Sequence, residues 1–249
     1  ASSTYFRFIL NLANKDFKVK INEFSEIEKQ MALMLNYDIW HKPGGFSSLE
    51  DAINQIGKNK ILVEEIKELL EILIDKIDFK EIEINLPYIQ PLKLHARYTR
   101  DQILVAFGMN TFEKASSNRI GVGVAENKDL NTELLFINLF KSEEDFSPTT
   151  MYDDYAINES LFHWQSQNSA SPTTSKGISY INQKKNGKKI LLFVREKADD
   201  EFGNTMGYVF IGEGFINRHY GSKPMNIEWE LNEPIPHFLW KDAAKLRVG

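Results

Sequence analysis

The first third of the chain has apolar residues at helical spacing. Residues 24–35 contain one such stripe, formed by Phe24, Ile27, Met31 and Leu35. Spacing of three and four residues places these side chains on one face and predicts an amphipathic helix. A second, short helix is predicted from Ser47 or Ser48, either of which can cap it, to Ile56, and Gly57 ends it.

Residues 60–77 form the longest predicted helix. Its expected buried stripe consists of Ile61, Ile66, Leu69, Leu70, Leu73 and Ile77. Four glutamates, Glu64, Glu65, Glu68 and Glu71, fall mostly on the opposite face. Such a run is compatible with a metal or partner site, but it is more commonly a solvated face. We therefore predict that residues 1–86 form a small helical bundle that connects the chain to other domains.

The pattern changes after two X-Pro steps at Pro87 and Pro91, which favour extended backbone and predict a domain boundary. A short helix follows over residues 98–108, with Thr99 as its N-cap and Gln102 completing a capping box. The later segments alternate with a period of two, which is typical of strands. Seven strands are predicted, at residues 119–124, 132–140, 160–166, 178–183, 189–195, 208–213 and 225–231.

The Asn186-Gly187 step lies between two of these strands and predicts a hairpin turn. Seven short strands with few helices favour a strongly curved or closed antiparallel sheet. The fold class is therefore predicted to be α+β, with a helical bundle over residues 1–86 and a curved antiparallel β-barrel with flanking helices over residues 87–249.

The charge of the chain limits how it can bind nucleic acid. It has 35 acidic and 30 basic residues, which gives a net charge of -5. A protein held on DNA by charge alone would be more basic, so any affinity needs a pocket and a local basic patch. The absence of cysteine excludes disulfides and thiolate metal sites and fits a reducing, cytoplasmic location. The opening residues 1–4 are not typical of a native start, and we expect a fragment of a larger protein.

Two aromatic rings stand out between residues 146 and 176. Tyr152 precedes an acidic pair, and Trp164 is followed by polar residues. Together these rings suit the two faces of a flipped nucleobase. The alternative is that Trp164 is a core ring, which is the more common outcome for a tryptophan on a strand. His163 would then lie on the opposite face as a hydrogen-bonded structural histidine.

Polar groups near these rings are suited to the edge of a base. Asp154, or else Asp153, is the predicted acceptor for the exocyclic amine of cytosine, which thymine lacks. Gln165 or Ser166 would add a hydrogen bond. The same Asp153-Asp154 pair is also the candidate metal site of a rival interpretation, a metal-dependent nuclease. No catalytic motif supports hydrolysis, so we predict no catalytic residues, no bound metal and no cofactor for this fragment.

Six cations form the predicted contact with the DNA backbone. They are Lys176, Lys184, Lys185, Lys188, Lys189 and Arg218. We expect replacement of Lys188 and Lys189 to weaken DNA binding in general and to reduce its salt dependence. The alternative is that the lysines beside Asn186-Gly187 form an exposed hairpin tip.

Several motifs resemble one known family. They are Tyr98-Thr99-Arg100, Leu139-Phe140-Lys141, Tyr152-Asp153-Asp154-Tyr155, the Phe162–Gln167 sequence FHWQSQ, Leu192–Glu196 and Gly221–Met225. This series resembles the C-terminal region of SauUSI-like ATP-dependent type IV restriction endonucleases, which cut DNA that contains modified cytosine. Their parent chains have a phospholipase-D-like nuclease and a helicase motor before this region.

The resemblance implies an SRA/PUA-like domain that flips 5-methylcytosine or 5-hydroxymethylcytosine out of duplex DNA. In the SRA family the two aromatic residues are about twelve positions apart, and Tyr152 and Trp164 match that spacing. The implied partners are modified duplex DNA and the helicase and nuclease domains of the same chain, with ATP and Mg²⁺ serving the parent enzyme. Assembly into a homo-oligomer is also compatible with the sequence. The alternative function is a structural or protein-interaction module, in which the helices dock a partner.

Overall fold

The computed structural model describes residues 1–116, 123–139 and 154–245. It contains two compact units, Ala1–Ser117 and Asn118–Gly249. The described residues include eight α-helices and a large, mostly antiparallel sheet, so the predicted α+β class is confirmed. The units divide after Ser117, whereas the sequence pattern places a domain boundary after residue 86, and that boundary stays a prediction.

The first unit is mainly helical. Its elements are α1 (Ser3–Ala13), a 3₁₀ turn (Ile21–Glu23), α2 (Glu26–Trp40), α3 (Leu49–Ile56), α4 (Lys60–Asp75), the two-residue strand β1 (Arg97–Tyr98) and α5 (Arg100–Ala106). Thr99 and Gln102 form the predicted capping box of α5. Ser48 caps α3, as predicted. Helix α1 is missing from the sequence prediction, although its buried residues, Tyr5, Phe8, Ile9 and Leu12, have helical spacing.

Helix α4 buries less apolar surface than its sequence pattern predicts. Val63 and Leu70 are its buried residues. Ile61, Leu69 and Ile72 are 75%, 55% and 52% exposed. The predicted burial of Ile61 and Leu69 is therefore wrong. Apolar residues cover an arc of α4 that is wider than the side of the helix packed against α1.

The second unit contains the large sheet. Its elements are β2 (Val124–Asn127), β3 (Thr132–Asn138), β4 (Tyr155–Asn158), β5 (Leu161–Gln165), α6 (Ser175–Ile181), α7 (Gln183–Asn186), β6 (Lys189–Arg195), β7 (Tyr208–Tyr220), β8 (Asn226–Leu231) and α8 (His237–Lys245). Seven strands lie in the order β2-β3-β6-β7-β8-β5-β4. All neighbouring pairs are antiparallel except β3 and β6, which are parallel.

The strand predicted at residues 178–183 is wrong, because helices α6 and α7 occupy this part of the chain. The side chain of Thr174 caps α6 by accepting from the backbone N–H of Gly177. The hairpin predicted at Asn186-Gly187 is also wrong, since Gly187 ends α7 with φ of 63°. A left-handed glycine serves both a tight hairpin and a helix C-terminus, so the dipeptide alone does not distinguish them.

Strand β7 links the two halves of the sheet. Its first residues pair with β6 and its later residues pair with β8. Gly214 lies where the two pairings meet, and a Cβ atom there would come within 2.8 Å of Leu192 Cδ1 and 3.0 Å of Trp229 Cβ. The absence of a side chain at Gly214 therefore lets the core of both halves close around β7. Within the described residues, no helix has the length and apolar character needed to cross a membrane.

Candidate functional site

Strands β5 and β8 have two chemically different faces. Phe162 and Trp164 of β5 and Ile227 and Trp229 of β8 are buried in the core. Because successive side chains of a strand point to opposite faces, the residues between them lie on the other face. We call it the polar-aromatic face, and with its neighbours on β4 and β7 it consists of Tyr155, His163, Gln165, Arg218, Tyr220, Asn226 and Glu228.

One row of this face crosses four strands. Tyr155 is paired with His163, His163 with Glu228, and Glu228 with Arg218. The rings of Tyr155 and His163 are stacked, with centroids 4.7 Å apart and planes 18° apart. The ring of Tyr220 lies 6.2 Å from His163. The row therefore places aromatic faces next to a carboxylate and a guanidinium group.

A second row connects the amide groups of the face. Gln165 is paired with Asn226, and Asn226 with Tyr220. The Oδ1 atom of Asn226 accepts from Gln165 Nε2 at 3.0 Å and lies 3.1 Å from His163 Nε2. An amide oxygen only accepts, so this contact fits a His163 tautomer that donates from Nε2. Asp154 is buried beside this row, and its Oδ1 accepts from the backbone N–H of Gln165 at 2.8 Å.

The accessible part of the polar-aromatic face is its β7 edge. The Tyr220 residue is 43% exposed and the Arg218 side chain is 64% exposed. The guanidinium carbon of Arg218 lies 5.1 Å from the centre of the Tyr220 ring. Arg218 also donates to Glu228 at 2.6 Å, and this hydrogen bond raises the pKa of the guanidinium group. A ligand would meet this ring and cation first, whereas His163 is buried.

The structure separates the residues of the predicted base pocket. Asp154 accepts from the backbone N–H of Gln165, whose side chain lies on the polar-aromatic face. Trp164 lies in the core, edge to face with Tyr180 at 5.4 Å. Ser166 is also buried, and its hydroxyl accepts from the backbone N–H of Met225. Tyr152 and Asp153 lie outside the described residues.

The burial of Trp164 agrees with the alternative interpretation of this ring as a core residue. His163 points to the opposite face and contacts Asn226, as the structural interpretation of this histidine predicts. An alanine at position 164 would leave a large cavity in the core. Loss of DNA binding in such a variant would therefore not report on a pocket.

A second polar cluster lies at the β2–β3 end of the sheet, and we call it the ion-pair cluster. It consists of Glu126, Glu133, Lys176, Tyr180 and Lys188. The two glutamates are directly opposite each other on β2 and β3, where like charges repel. Both lysines bridge both glutamates at N–O distances between 2.7 and 3.0 Å, and the Tyr180 hydroxyl donates to Glu133 at 2.6 Å. Opposite charges therefore compensate each other inside the fold.

The pKa values in the ion-pair cluster follow from this compensation. Burial of Tyr180 and the charge of Glu133 raise the pKa of the Tyr180 hydroxyl. Burial alone would lower the pKa of Lys188, but attraction to Glu133 and Glu126 outweighs it and raises that pKa. Burial alone would raise the pKa of Glu126, but its hydrogen bonds from Lys188 and Lys176 lower it. The charged forms of Lys188 and Glu126 are thus favoured near neutral pH.

The predicted DNA-backbone cations therefore differ in whether they are held in ion pairs and whether they are exposed. Lys176 and Lys188 belong to the ion-pair cluster, and Lys189 pairs with Glu213 at 3.1 Å. Lys184 and Lys185 are exposed in the last turn of α7. Arg218 is exposed but is paired with Glu228. Their role in DNA binding stays a prediction, and the exposed members of the set are Lys184, Lys185 and Arg218.

The nuclease interpretation depends on a metal site at Asp153 and Asp154. In the part of the chain that the structure describes, no group of three or more His, Asp or Glu residues is arranged to hold a metal ion. Asp154 is within the described residues, and Asp153 is outside them.

Most of the polar-aromatic face is absent from the site residues predicted from the sequence. Tyr220, Asn226 and Glu228 were not among the predicted site residues. The signal that marks Asn226 and Glu228 is the alternation of polar and apolar residues in β8, in which they flank the buried Ile227. Only the pairing of β8 with β5 and β7 shows that these polar positions form one surface with His163.

Comparison with known proteins identifies the family. The model of the family described as Domain of unknown function (DUF3427) matches residues 92–243, more than half of the chain, and the chain belongs to this family. No curated protein matches the chain.

Two solved structures match the chain, both of SUVH6 from Arabidopsis thaliana in complex with SAM. Form 2 has a TM-score of 0.39 and 10% identity over 98% of this chain and 43% of that chain. Form 1 has a TM-score of 0.37 and 9% identity over 97% of this chain and 42% of that chain. The chain thus spans less than half the length of these structures. At this level of similarity, properties of SUVH6 do not transfer to this chain.

Proposed function

We propose that this chain recognises 5-methylcytosine or 5-hydroxymethylcytosine in duplex DNA by base flipping. In this proposal the second unit is an SRA-like sensor within a larger SauUSI-like type IV restriction enzyme that defends against phage. The motor and nuclease of that enzyme would use ATP and Mg²⁺, while the sensor has no catalytic role. The support from sequence is the series of motifs that includes FHWQSQ at residues 162–167.

The observation on which the proposal rests is the polar-aromatic face. A flipped base is a flat ring with a polar edge, and it binds by stacking on aromatic side chains and by hydrogen bonds along that edge. Tyr220 offers a half-exposed ring with the Arg218 cation beside it. Gln165 and Asn226 offer amide groups on this face, and the Asp154 carboxylate lies next to the backbone of Gln165.

In the proposed complex, the base stacks on Tyr220 and Arg218 contacts a flanking phosphate. Asp154 stays our proposed acceptor for the exocyclic amine of cytosine. Tyr152 stays the proposed second ring, since it precedes Asp154 by two residues in the sequence. The stacking role moves from Trp164 to Tyr220, because the Trp164 ring lies in the core.

The test is a titration of the 249-residue chain against two matched duplexes, one with 5-methylcytosine and one with plain cytosine. Burial of one methyl group contributes about 0.8 kcal/mol, so we expect the methylated duplex to bind about four times more tightly. Base–aromatic stacking contributes about 1–3 kcal/mol, so Tyr220→Ala should weaken binding of the methylated duplex by about 5- to 150-fold.

Phe202→Ala is the matched control, because Phe202 is an exposed aromatic residue outside the proposed site, 80% accessible. It should leave both affinities unchanged. A conservative Trp164→Phe variant decides between the two tryptophan roles, since it keeps a ring in the core. If Trp164→Phe abolishes the preference for methylated DNA and Tyr220→Ala does not, the base binds elsewhere. Equal binding of both duplexes would contradict modification sensing, and no binding would favour a protein-interaction module.

A further inference from the structure

Helix α4 has an apolar surface that no described residue covers. Ile61, Leu69 and Ile72 are at least half exposed, and Leu62 beside them is partly exposed. At 100° per residue, these four positions fall within about one third of the helix circumference. We call this surface the α4 arc. A stripe of four large aliphatic side chains in water is costly for a single helix, and such patches mark interaction sites.

An acidic ridge borders the α4 arc. It is formed by Glu64, Glu68, Glu71 and Asp75, which recur at three- and four-residue spacing and are all exposed. Lys67 pairs with Glu64 at 2.7 Å and so offsets one of these charges. Glu65 is exposed within the α4 arc itself. The surface therefore combines an apolar stripe with a line of negative charge along one side.

A groove continues the α4 arc at the start of the helix. It has a volume of about 760 Å³, and its lining includes Trp40, Ile56, Ile61, Leu62 and Lys58. The indole N–H of Trp40 is buried and has no hydrogen-bond partner among the described residues. A buried donor without an acceptor is unfavourable, so this part of the groove carries a local cost in stability.

We propose that the α4 arc and this groove bind an amphipathic helix of a partner protein, whose apolar stripe is bordered by lysine or arginine. Basic residues on the partner would face the acidic ridge, and its apolar residues would cover Ile61, Leu69 and Ile72. This is a helix-in-groove contact, in which apolar anchors contribute affinity and charges set the orientation. The proposal is independent of DNA recognition by the second unit.

Charge also argues against a second copy of this chain as the occupant. Two α4 helices packed antiparallel through the α4 arc would bring their acidic ridges to the same side. Packed parallel, they would leave each ridge without a basic partner. Both arrangements are less favourable than a basic helix, because like charges across an interface repel and suppress pairing.

The test uses the full 249-residue chain and a labelled synthetic helix of 16 residues, the length of α4. One peptide has a Leu/Ile stripe bordered by lysines, and a second has glutamates in their place. We expect the lysine peptide to bind at least about tenfold more tightly than the glutamate peptide and to weaken as salt rises. The combined variant Ile61→Gln/Leu69→Gln/Ile72→Gln should lose that binding at least about tenfold and stay folded, because all three residues are exposed.

A matched control replaces three exposed apolar residues elsewhere, as Ile89→Gln/Ile178→Gln/Phe202→Gln. It should bind the lysine peptide as the unmodified chain does. Equal affinity for both peptides, or binding to neither, would overturn the proposal. Self-association in sedimentation that the α4 variant abolishes would also overturn it, and would identify a second copy as the occupant.

Discussion

The ion-pair cluster and the polar-aromatic face lie in the same unit and contain similar residue types, yet they differ in what remains accessible. In the ion-pair cluster, Glu133 is fully buried and its charge is met by Lys176, Lys188 and Tyr180. At the polar-aromatic face, the partner of the buried Glu228 is Arg218, whose side chain is 64% exposed.

This difference shows why charge and aromatic content do not by themselves locate a binding surface. A lysine that neutralises two glutamates cannot also neutralise a phosphate without leaving those glutamates uncompensated. A half-exposed ring beside an exposed guanidinium group has contact area left for a ligand. Of the two regions, the polar-aromatic face is the one with an exposed ring and an exposed cation.

The largest expected contrast is in stability. Glu133→Ala should lower the free energy of unfolding by about 3–5 kcal/mol, because it leaves Lys188 and Tyr180 buried with fewer partners. Glu228→Ala should cost about 1 kcal/mol or less, since Arg218 stays hydrated when its partner is removed. Urea denaturation of both variants measures this. Equal losses in the two variants would show that burial of the partner cation does not decide the cost of removing each glutamate.

A smaller contrast is expected in the salt dependence of DNA binding. Each lost phosphate contact lowers the slope of log K against log salt by about 0.9. Lys184→Gln/Lys185→Gln should therefore lower the magnitude of the slope by about 1.8, because both lysines are exposed and each would contact one phosphate.

Lys188→Gln provides the comparison within the same segment. Because Lys188 is paired with Glu126 and Glu133, its replacement should not change the salt dependence of DNA binding, although the sequence predicts that it would. The variant should lose stability instead. Anisotropy titrations at several salt concentrations measure both variants. A lower slope in Lys188→Gln would show that this lysine leaves its glutamates to contact DNA.

The smallest expected effect is on the pH dependence of the free energy of unfolding. Burial opposes ionisation of Glu126, but Lys188 and Lys176 lower its folded-state pKa below the usual 4.5. A lowered pKa means that the folded state favours the carboxylate, so this contribution is present above pH 4.5 and is lost as the pH falls through the folded-state value. The urea midpoint of the unmodified chain should therefore fall more steeply in acid than that of Glu126→Gln. Parallel curves would contradict this role for Glu126.

The helices of the first unit were largely predictable from sequence. Ser48 and the Thr99–Gln102 capping box identify helix starts through contacts within one turn, and such contacts do not depend on the rest of the fold. Most strands of the second unit were predicted for a similar reason, since alternation is a property of the strand itself. The exposure of Ile61 and Leu69 was not predictable, because an apolar pattern does not state whether a partner covers it.

The candidate site shows the same division between local and tertiary information. Alternation along β5 and β8 is enough to place Trp164 and His163 on opposite faces of the sheet, and likewise Ile227 and Glu228. Which of these faces is the core depends on the strands and helices packed against it, and this decided that Trp164 is a core ring. The pairing of Lys188 with Glu126 and Glu133 joins residues far apart in the sequence. The sequence by itself determined the local elements and the two-sided pattern of the sheet, whereas only the tertiary structure decided which charges are neutralised and which ring is left accessible.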